Sequence, residues 1–470
     1  MSRERILFVT GRLAEPSLKE VLRPLAERVG FEYEISVLGI SVAALMHVDW
    51  VKRKLVVPEG VTRIILPGWC GGDLSVLSAQ FGVPFTLGPK DLFDLPEFFG
   101  RGGRPPPSLV DYSIEILAEI NHAPRLSADE LLRQANAYRE SGADVIDLGC
   151  IPGESWAGIA QSVKQLRSEG FRVSVDSFER SEVEAAVEAG AELVLSCNGS
   201  NVSWACGLPV EFVVIPDEVR DLESWDATCG RLRESHRIFR LDPVLEPIGF
   251  GFAASLQRYY EARRRYPSAA MMMGIGNLTE LTEVDSAGIN FLLAAICEEL
   301  RIESVLATEV INWGSTAVRE FDLARRLVRH SVENRVLPKH LGGQLVMLRD
   351  PKLRAIGEDG LRQLASRLTD PNFRVFAEGG EIHLMNRDGY WHGSDPYEVF
   401  DQMNASVGSL TAEHAFYLGM ELNKARTALT LGKQYIQDES LRWGFLSVDE
   451  ISALKRRKHR TGELDDTRSQ

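Results

Sequence analysis

From residue 113 to residue 334, apolar strand-like runs alternate with helical runs, and this rhythm constrains the fold more tightly than any single motif. The strand-like runs are IEILAEIN (114–121), DVIDLG (144–149), RVSVDS (172–177), ELVLSCNG (192–199), EFVVIPD (211–217), IFRLDP (238–243), AMMMGIGN (270–277) and SVLATEV (304–310). Helical sequences such as SADELLRQANAYRESG and SAGINFLLAAICEELRI separate most of them. The fourth connection, SNVSWACGLP, is short and weakly helical, the one irregularity. Alternation of this kind serves a closed (β/α)8 barrel or a doubly wound open sheet. The count of eight favours the barrel, so the expected class is α/β with a central TIM barrel spanning 110–338.

The flanks differ in pattern. Strands RILFVTG, FEYEISVLG and VTRIILPG, with the helical PSLKEVLRPLAERVG between the first two, predict an α/β domain over 1–105. The stretch FGRGGRPPPS (99–108) reads as a stiff linker. After the barrel, FRVFAEGGEIHLMNRDGYW alternates like a hairpin turning at Gly379 and Gly380, and a long helical stretch follows. Together these predict an α+β domain over 339–455, and the charged tail 456–470 reads as disordered. In DGYWHGSDP, Tyr390 and Trp391 read as packing residues and His392 as a turn residue.

Composition narrows the function classes. A formal charge of −14 argues against general binding to nucleic acid or anionic membrane, both of which need a basic face. No apolar stretch reaches membrane-spanning length, and the start, MSRERILFVTG, reads as a first strand rather than a signal peptide. Cys70, Cys150, Cys197, Cys206, Cys229 and Cys297 are scattered without a C-x-x-C pair, the pattern of reduced core cysteines in a cytoplasmic protein. Cys150 and Cys197 fall near strand ends, where they could line a pocket. Nucleotide-binding glycine loops and H-E-x-x-H zinc spacing are absent from the sequence.

Each strand-like run closes on an acid or an amide: Asn121, Asp147, Asp176, Asn198, Asp217, Asp242, Asn277 and Glu309. One such residue ordinarily caps the next helix. Eight of eight favours a polar site at the mouth of a barrel, where strand C-termini converge. Carboxylates and amides with few cations suit a ligand rich in N–H donors, such as a 2-aminopyrimidinone ring.

The segment from 117 to about 250 resembles the pterin-binding enzymes, the TIM-barrel group of dihydropteroate synthases and pterin-dependent methyltransferases. The stretches that carry the resemblance are EIN with AP close behind, GADVIDLG followed by PGES, VSVDSF, AGAELVLSCNG and LDP. By that resemblance Asp176, Asn198 and Asp242 hold the pterin ring and Asp147 supports the second loop. Asn121 takes the place of the asparagine that coordinates a magnesium ion serving the departing diphosphate. The lysine after strand seven and the Arg/His pair after strand eight of the synthases have no counterpart in GIGNLTELT and TEVINWGS. Asn277 is instead similar to the pterin-contacting asparagine of methyltetrahydrofolate-handling methyltransferases.

The whole arrangement looks similar to dihydropteroate synthase-related proteins of organisms that use tetrahydromethanopterin. That implies transfer of a dihydropterin-6-methyl group from its diphosphate to an arylamine, ribofuranosylaminobenzene phosphate, with Mg2+ as cofactor. In this scheme His122 is a proton acceptor or a plain turn residue. Glu154 and Ser155 are loop-lid candidates, and Arg180 and Glu309 are phosphate or loop contacts, with a solvated surface role for Arg180 left open. The family resemblance also implies a homodimer. Two alternatives stand beside the synthase: a pterin-dependent methyltransferase subunit, which would need a cobalamin-bearing partner, and a non-catalytic pterin-binding or scaffold protein.

Overall fold

The computed structural model describes residues 4–100, 108–339, 341–342, 344–408 and 410–450. Most of the expected linker and the whole expected tail, 456–470, lie outside the described residues. The chain divides into two compact units, Met1–Gly343 and Gln344–Gln470.

The first unit opens with β1 (Arg5–Thr10), β2 (Glu32–Val37), β3 (Arg63–Leu66) and β4 (Phe85–Leu87). They form a parallel sheet in the order β2-β1-β3-β4. Leu18, Leu22 and Leu25 of the helix Glu15–Val29 pack on Ile6, Phe8 and Ile65 on one face. Val51 and Leu77, from the helices Val48–Lys54 and Leu74–Phe81, cover Leu7, Ile64 and Leu66 on the other. Burial on both faces is the ordinary condition of a parallel sheet.

The barrel follows: β5 (Glu115–Ile120), β6 (Val145–Gly149), β7 (Val173–Asp176), β8 (Leu193–Cys197), β9 (Glu211–Val214), β10 (Phe239–Leu241), β11 (Ala270–Gly274) and β12 (Ser304–Ala307). These strands close in sequence order, with β12 pairing β5 in parallel through Val305↔Ile116 and Leu306↔Leu117. Closure rules out the open-sheet alternative. The weak fourth connection holds a single helical turn, Val202–Ala205. Arg325, on the helix Ala317–Asn334, braces the closing seam. Its guanidinium bonds Asp322 at 2.8 Å and the Gly142 carbonyl at 2.9 Å, and lies over the Tyr112 ring. Gly142 is obligatory there: its φ is 104°, and a Cβ would sit 2.5 Å from the Asp322 carboxyl carbon.

Alternation decides what the barrel encloses. A layer of Leu117, Val145, Leu193, Leu195, Val213 and Met272 fills its waist. Toward the strand N-termini, charges meet in pairs. Arg240 bonds both oxygens of Glu211 at 2.8 Å and reaches Glu115 at 3.5 Å, while Arg172 joins Glu115 to Glu192.

The second unit holds an antiparallel meander of β13 (Arg374–Glu378), β14 (Glu381–Asn386) and β15 (Gly389–Gly393). The first turn falls at Gly379 and Gly380, whose φ values of 63° and 84° are those that two-residue hairpin loops demand. Ile382, Leu384 and Trp391 form a core with Val399 and Met403 of the helix Pro396–Val407, and with Leu418 of the helix Ala412–Leu431. Trp391 therefore packs within its own unit.

Candidate functional site

The mouth of the barrel differs from its base in one electrostatic respect. Glu119 pairs in register with Asp147, and Asp147 with Ser174, so a band of polar side chains crosses three adjacent strands of the inner wall just above the apolar waist. Asp147 is fully buried and takes a 2.6 Å hydrogen bond from the Ser174 hydroxyl on Oδ1. Its Oδ2 is buried with no hydrogen-bond partner. Asp176 ends β7 beside it.

Burial, then the neighbouring Asp176 and Glu119 carboxylates, holds the Asp147 carboxyl well above the ordinary range. Burial, then Asp176 and Glu280, pushes Glu119 up to about 7. Asp176 is raised to about 6 by burial. The groups acting on these three acids are other acids and one hydroxyl, in contrast to the paired charges at the base. Leaving a buried carboxylate oxygen unsatisfied costs on the order of 1–3 kcal/mol, so a fold that keeps such a group calls for an explanation.

The local sequence explains why Asp176 is available. Helix Arg180–Ala189 starts four residues later, with Glu179 at its N-cap position. Ser177 does the local bracing: its hydroxyl accepts from the Glu179 N–H at 3.0 Å and donates to Glu182 at 2.5 Å. Asp176 is not a helix cap.

Asp242 stands three strands further round the barrel. Its Oδ1 accepts from the Tyr259 hydroxyl at 2.7 Å and the Val244 N–H at 2.8 Å, and burial raises its carboxyl to about 6. Val244 has φ 63°, a left-handed conformation that a β-branched residue rarely adopts. Arg258 helps hold it there, donating to the Val244 carbonyl at 2.9 Å and to the Pro243 carbonyl at 3.3 Å while pairing with Glu246 at 2.8 Å. A strained backbone locked from several sides is common where a loop must be pre-organised.

The remaining sequence-derived residues divide. Asn121 follows β5 directly and is half-buried at the mouth. His122 is exposed in a left-handed turn, φ 52°. Asn198 gives its Oδ1 to the Ser200 N–H at 3.0 Å and hydroxyl at 2.6 Å, which leaves its NH2 to offer. Asn277 is exposed and its amide donates to the Leu245 carbonyl at 2.6 Å.

Asp217 latches the neighbouring loop by accepting from the Gly199 N–H at 2.6 Å. Glu309 accepts from the Val318 N–H at 3.0 Å, at the start of the helix Ala317–Asn334. Arg180 is exposed and pairs with Glu184 at 2.6 Å on its own helix. Glu154 and Ser155 lie on an exposed loop, with Glu154 3.4 Å from Arg125 of the preceding loop. Burial and the nearby Glu182 carboxylate raise the Cys150 thiol, which disfavours a nucleophilic thiolate.

The structure thus brings Asp147 and Asp176 together and adds Glu119, which sequence reasoning passed over. Glu280 belongs to the same rim, receiving a hydrogen bond from the Thr308 hydroxyl. The signal for Glu119 is present in its period: it lies two residues beyond Leu117 and so on the same face of β5. Gly149 accommodates it, because a Cβ there would lie 2.5 Å from Glu119 Oε1.

Comparison with known proteins locates three family patterns along the chain. Residues 120–210 match the model described as pterin binding enzyme. Residues 4–90 match a family of unknown function (DUF6513), and residues 368–438 match a model described as PterinBD-DUF4346. An uncharacterized protein of Methanocaldococcus jannaschii is 27% identical, the alignment covering 93% of this chain and 99% of the relative. Among solved structures, Yersinia pestis DHPS with a pterine-sulfa conjugate is 18% identical, over 47% of this chain and 94% of that one, with a TM-score of 0.36. The dihydropteroate synthase of Thermus thermophilus in complex with 4-aminobenzoate is 20% identical, over 47% and 94%, with a TM-score of 0.35. The first half of the barrel therefore carries the sequence pattern of the pterin-binding enzymes, in the segment that contains Asn121, Asp147, Asp176 and Asn198.

Proposed function

We propose that this chain is a dihydropteroate synthase-like transferase that binds a dihydropterin at the barrel mouth and joins its 6-methylene carbon to an arylamine. The observation that carries the reading is the acid group of buried Asp147 and half-buried Glu119 and Asp176, which pairs with no cation among the described residues and leaves one oxygen of Asp147 unsatisfied. A 2-aminopyrimidinone ring presents adjacent N–H donors that a carboxylate accepts side by side, and Asp242 and the Asn198 amide offer further polar contacts. The match of residues 120–210 to the pterin binding enzymes supports this ligand class.

In the reaction the C–O bond from the methylene to diphosphate breaks and a C–N bond to the amine forms. The amine proton is lost to solvent or to a mouth residue, for which His122 is positioned next to Asn121. The acid group stabilises positive charge developing on the methylpterin, and orientation of the amine is the site's other contribution. The side-chain amide oxygen of Asn121 is a hard donor of the kind that magnesium prefers. Mg2+ held there would supply neutralising charge for the departing diphosphate.

Within this reading the acceptor is ribofuranosylaminobenzene phosphate, an intermediate class for tetrahydromethanopterin, because GIGNLTELT and TEVINWGS lack the cations that an aminobenzoate carboxylate needs. We place the enzyme in the cytoplasm as a homodimer, in keeping with six unbridged cysteines. Among the described residues no helix is long and apolar enough to cross a membrane.

The deciding experiment supplies 6-hydroxymethyl-7,8-dihydropterin diphosphate, Mg2+ and the ribosyl arylamine phosphate, and measures released diphosphate. Turnover that falls at least 100-fold in Asp176→Asn, with melting temperature unchanged, supports the synthase. Tight pterin binding without turnover on any amine overturns it in favour of a non-catalytic pterin-binding protein. Consumption of a methyl pterin in the presence of a corrinoid protein would point to the methyltransferase.

A further inference from the structure

Strand alternation in the second unit puts Glu381 and His383 of β14 on one face with His392 of β15, opposite the face that sends Ile382 and Leu384 into the core. His383 and His392 oppose each other directly across the ladder, their rings 5.8 Å apart and inclined by 27°. One donor atom from each of Glu381, His383 and His392 lies within 4.8 Å of the other two. We propose that these three side chains form a binding site for a first-row divalent metal ion, separate from the barrel mouth.

The state of His383 is the first argument. The ring is buried, and its Nε2 lies 3.2 Å from the Glu378 carbonyl oxygen. A carbonyl can only accept, so Nε2 carries the proton and the lone pair is on Nδ1. Tying one ring nitrogen to a backbone carbonyl, which fixes tautomer and ring plane, is how metal-binding histidines are usually held. The frame around it is rigid: the Glu378 side chain accepts from the Ile356 and Gly357 N–H groups at 2.8 and 2.7 Å, at the start of the helix Glu358–Arg367.

The second argument is the pair above it. Glu381 Oε2 and His392 Nδ1 are 2.7 Å apart, so a carboxylate and an imidazole already share one proton. A metal ion can take that proton's place. Ligand bonds of about 2.0–2.2 Å set donors roughly 3.3 Å apart. Glu381 and His392, each 44% exposed, have the freedom to close the remaining gap and give an ion a path from solvent. Two imidazoles and one carboxylate form a three-donor set that leaves a position for water, and the Tyr390 hydroxyl, which donates to His383 Nδ1 at 2.9 Å, has to turn aside for the ion.

The test uses the full-length protein, stripped with chelator and titrated with Zn2+ by calorimetry, and with Co2+ by visible absorption. Wild type is expected to bind one Zn2+ more than His392→Ala, and Glu381→Gln to bind that ion at least tenfold more weakly. The Co2+ band of the site should vanish in His392→Ala. Both substitutions are at exposed positions, and unchanged melting of the metal-free variants verifies that they fold. Identical stoichiometry and affinity in wild type, His392→Ala and Glu381→Gln would overturn the site, leaving a surface ion pair beside a buried histidine. The cysteines are common to all three proteins, so zinc bound to thiols cancels in the comparison.

Discussion

Asp176 and Glu309 look alike in the sequence, each an acid closing an apolar strand, yet the structure gives them different work. Glu309 accepts a backbone N–H at a helix start, and Asp176 faces other acids. Only the partner distinguishes them, and partners distant in sequence are not legible in it. Glu119 was hidden for the opposite reason, sitting inside a strand rather than at its end. Its raised carboxyl has a measurable consequence. A group whose pKa is higher folded than unfolded lends stability that is complete below its unfolded value and is lost as pH rises through its folded value. For Glu119 that window runs from about 4.5 to about 7. Chemical denaturation should therefore show the ligand-free protein losing stability across this range. Glu119→Gln should flatten the loss, raising stability at pH 8 by at most about 3 kcal/mol while weakening dihydropterin binding. A site residue whose removal strengthens the fold is the mark of a group kept for its ligand.

At the scale of elements, the eight-beat alternation makes the barrel legible in the sequence, and closure of β12 on β5 follows it. What escaped were short or non-local features. The three-residue β4 is below the length at which alternation can be seen. His392 read as a turn residue because its cross-strand partner, His383, lies nine positions earlier and on another strand. The loop after β10 was visible only as LDP, without its brace. Arg258 and Glu246 have side chains only 10% and 14% exposed, so removing one strands the other's charge. Arg258→Ala should cost about 3–5 kcal/mol in denaturant unfolding. Adding Glu246→Gln should restore part of that loss, and pterin affinity should remain low in both because Val244 is no longer held.

At the scale of the whole molecule, the two units have separate apolar cores. Residues 344–470 expressed alone should give a mixed α and β circular dichroism spectrum and a cooperative thermal transition, whereas a gradual, featureless melt would show that the unit depends on the remainder of the chain. The sign of the net charge was informative at this scale, and its distribution was not. Acids at the barrel base are matched by Arg172 and Arg240, while Glu119, Asp147 and Asp176 pair with no cation among the described residues. No count of charged residues separates these two arrangements.

The apolar waist of Leu117, Val145, Leu193, Leu195, Val213 and Met272 closes the barrel interior below the acids. On the proposed function, a pterin that enters from the mouth and sits below the amine would arrive before it, and the joined product would leave after diphosphate. Initial-rate kinetics should then follow a compulsory sequence, with the joined product competing against the pterin diphosphate and not against the amine.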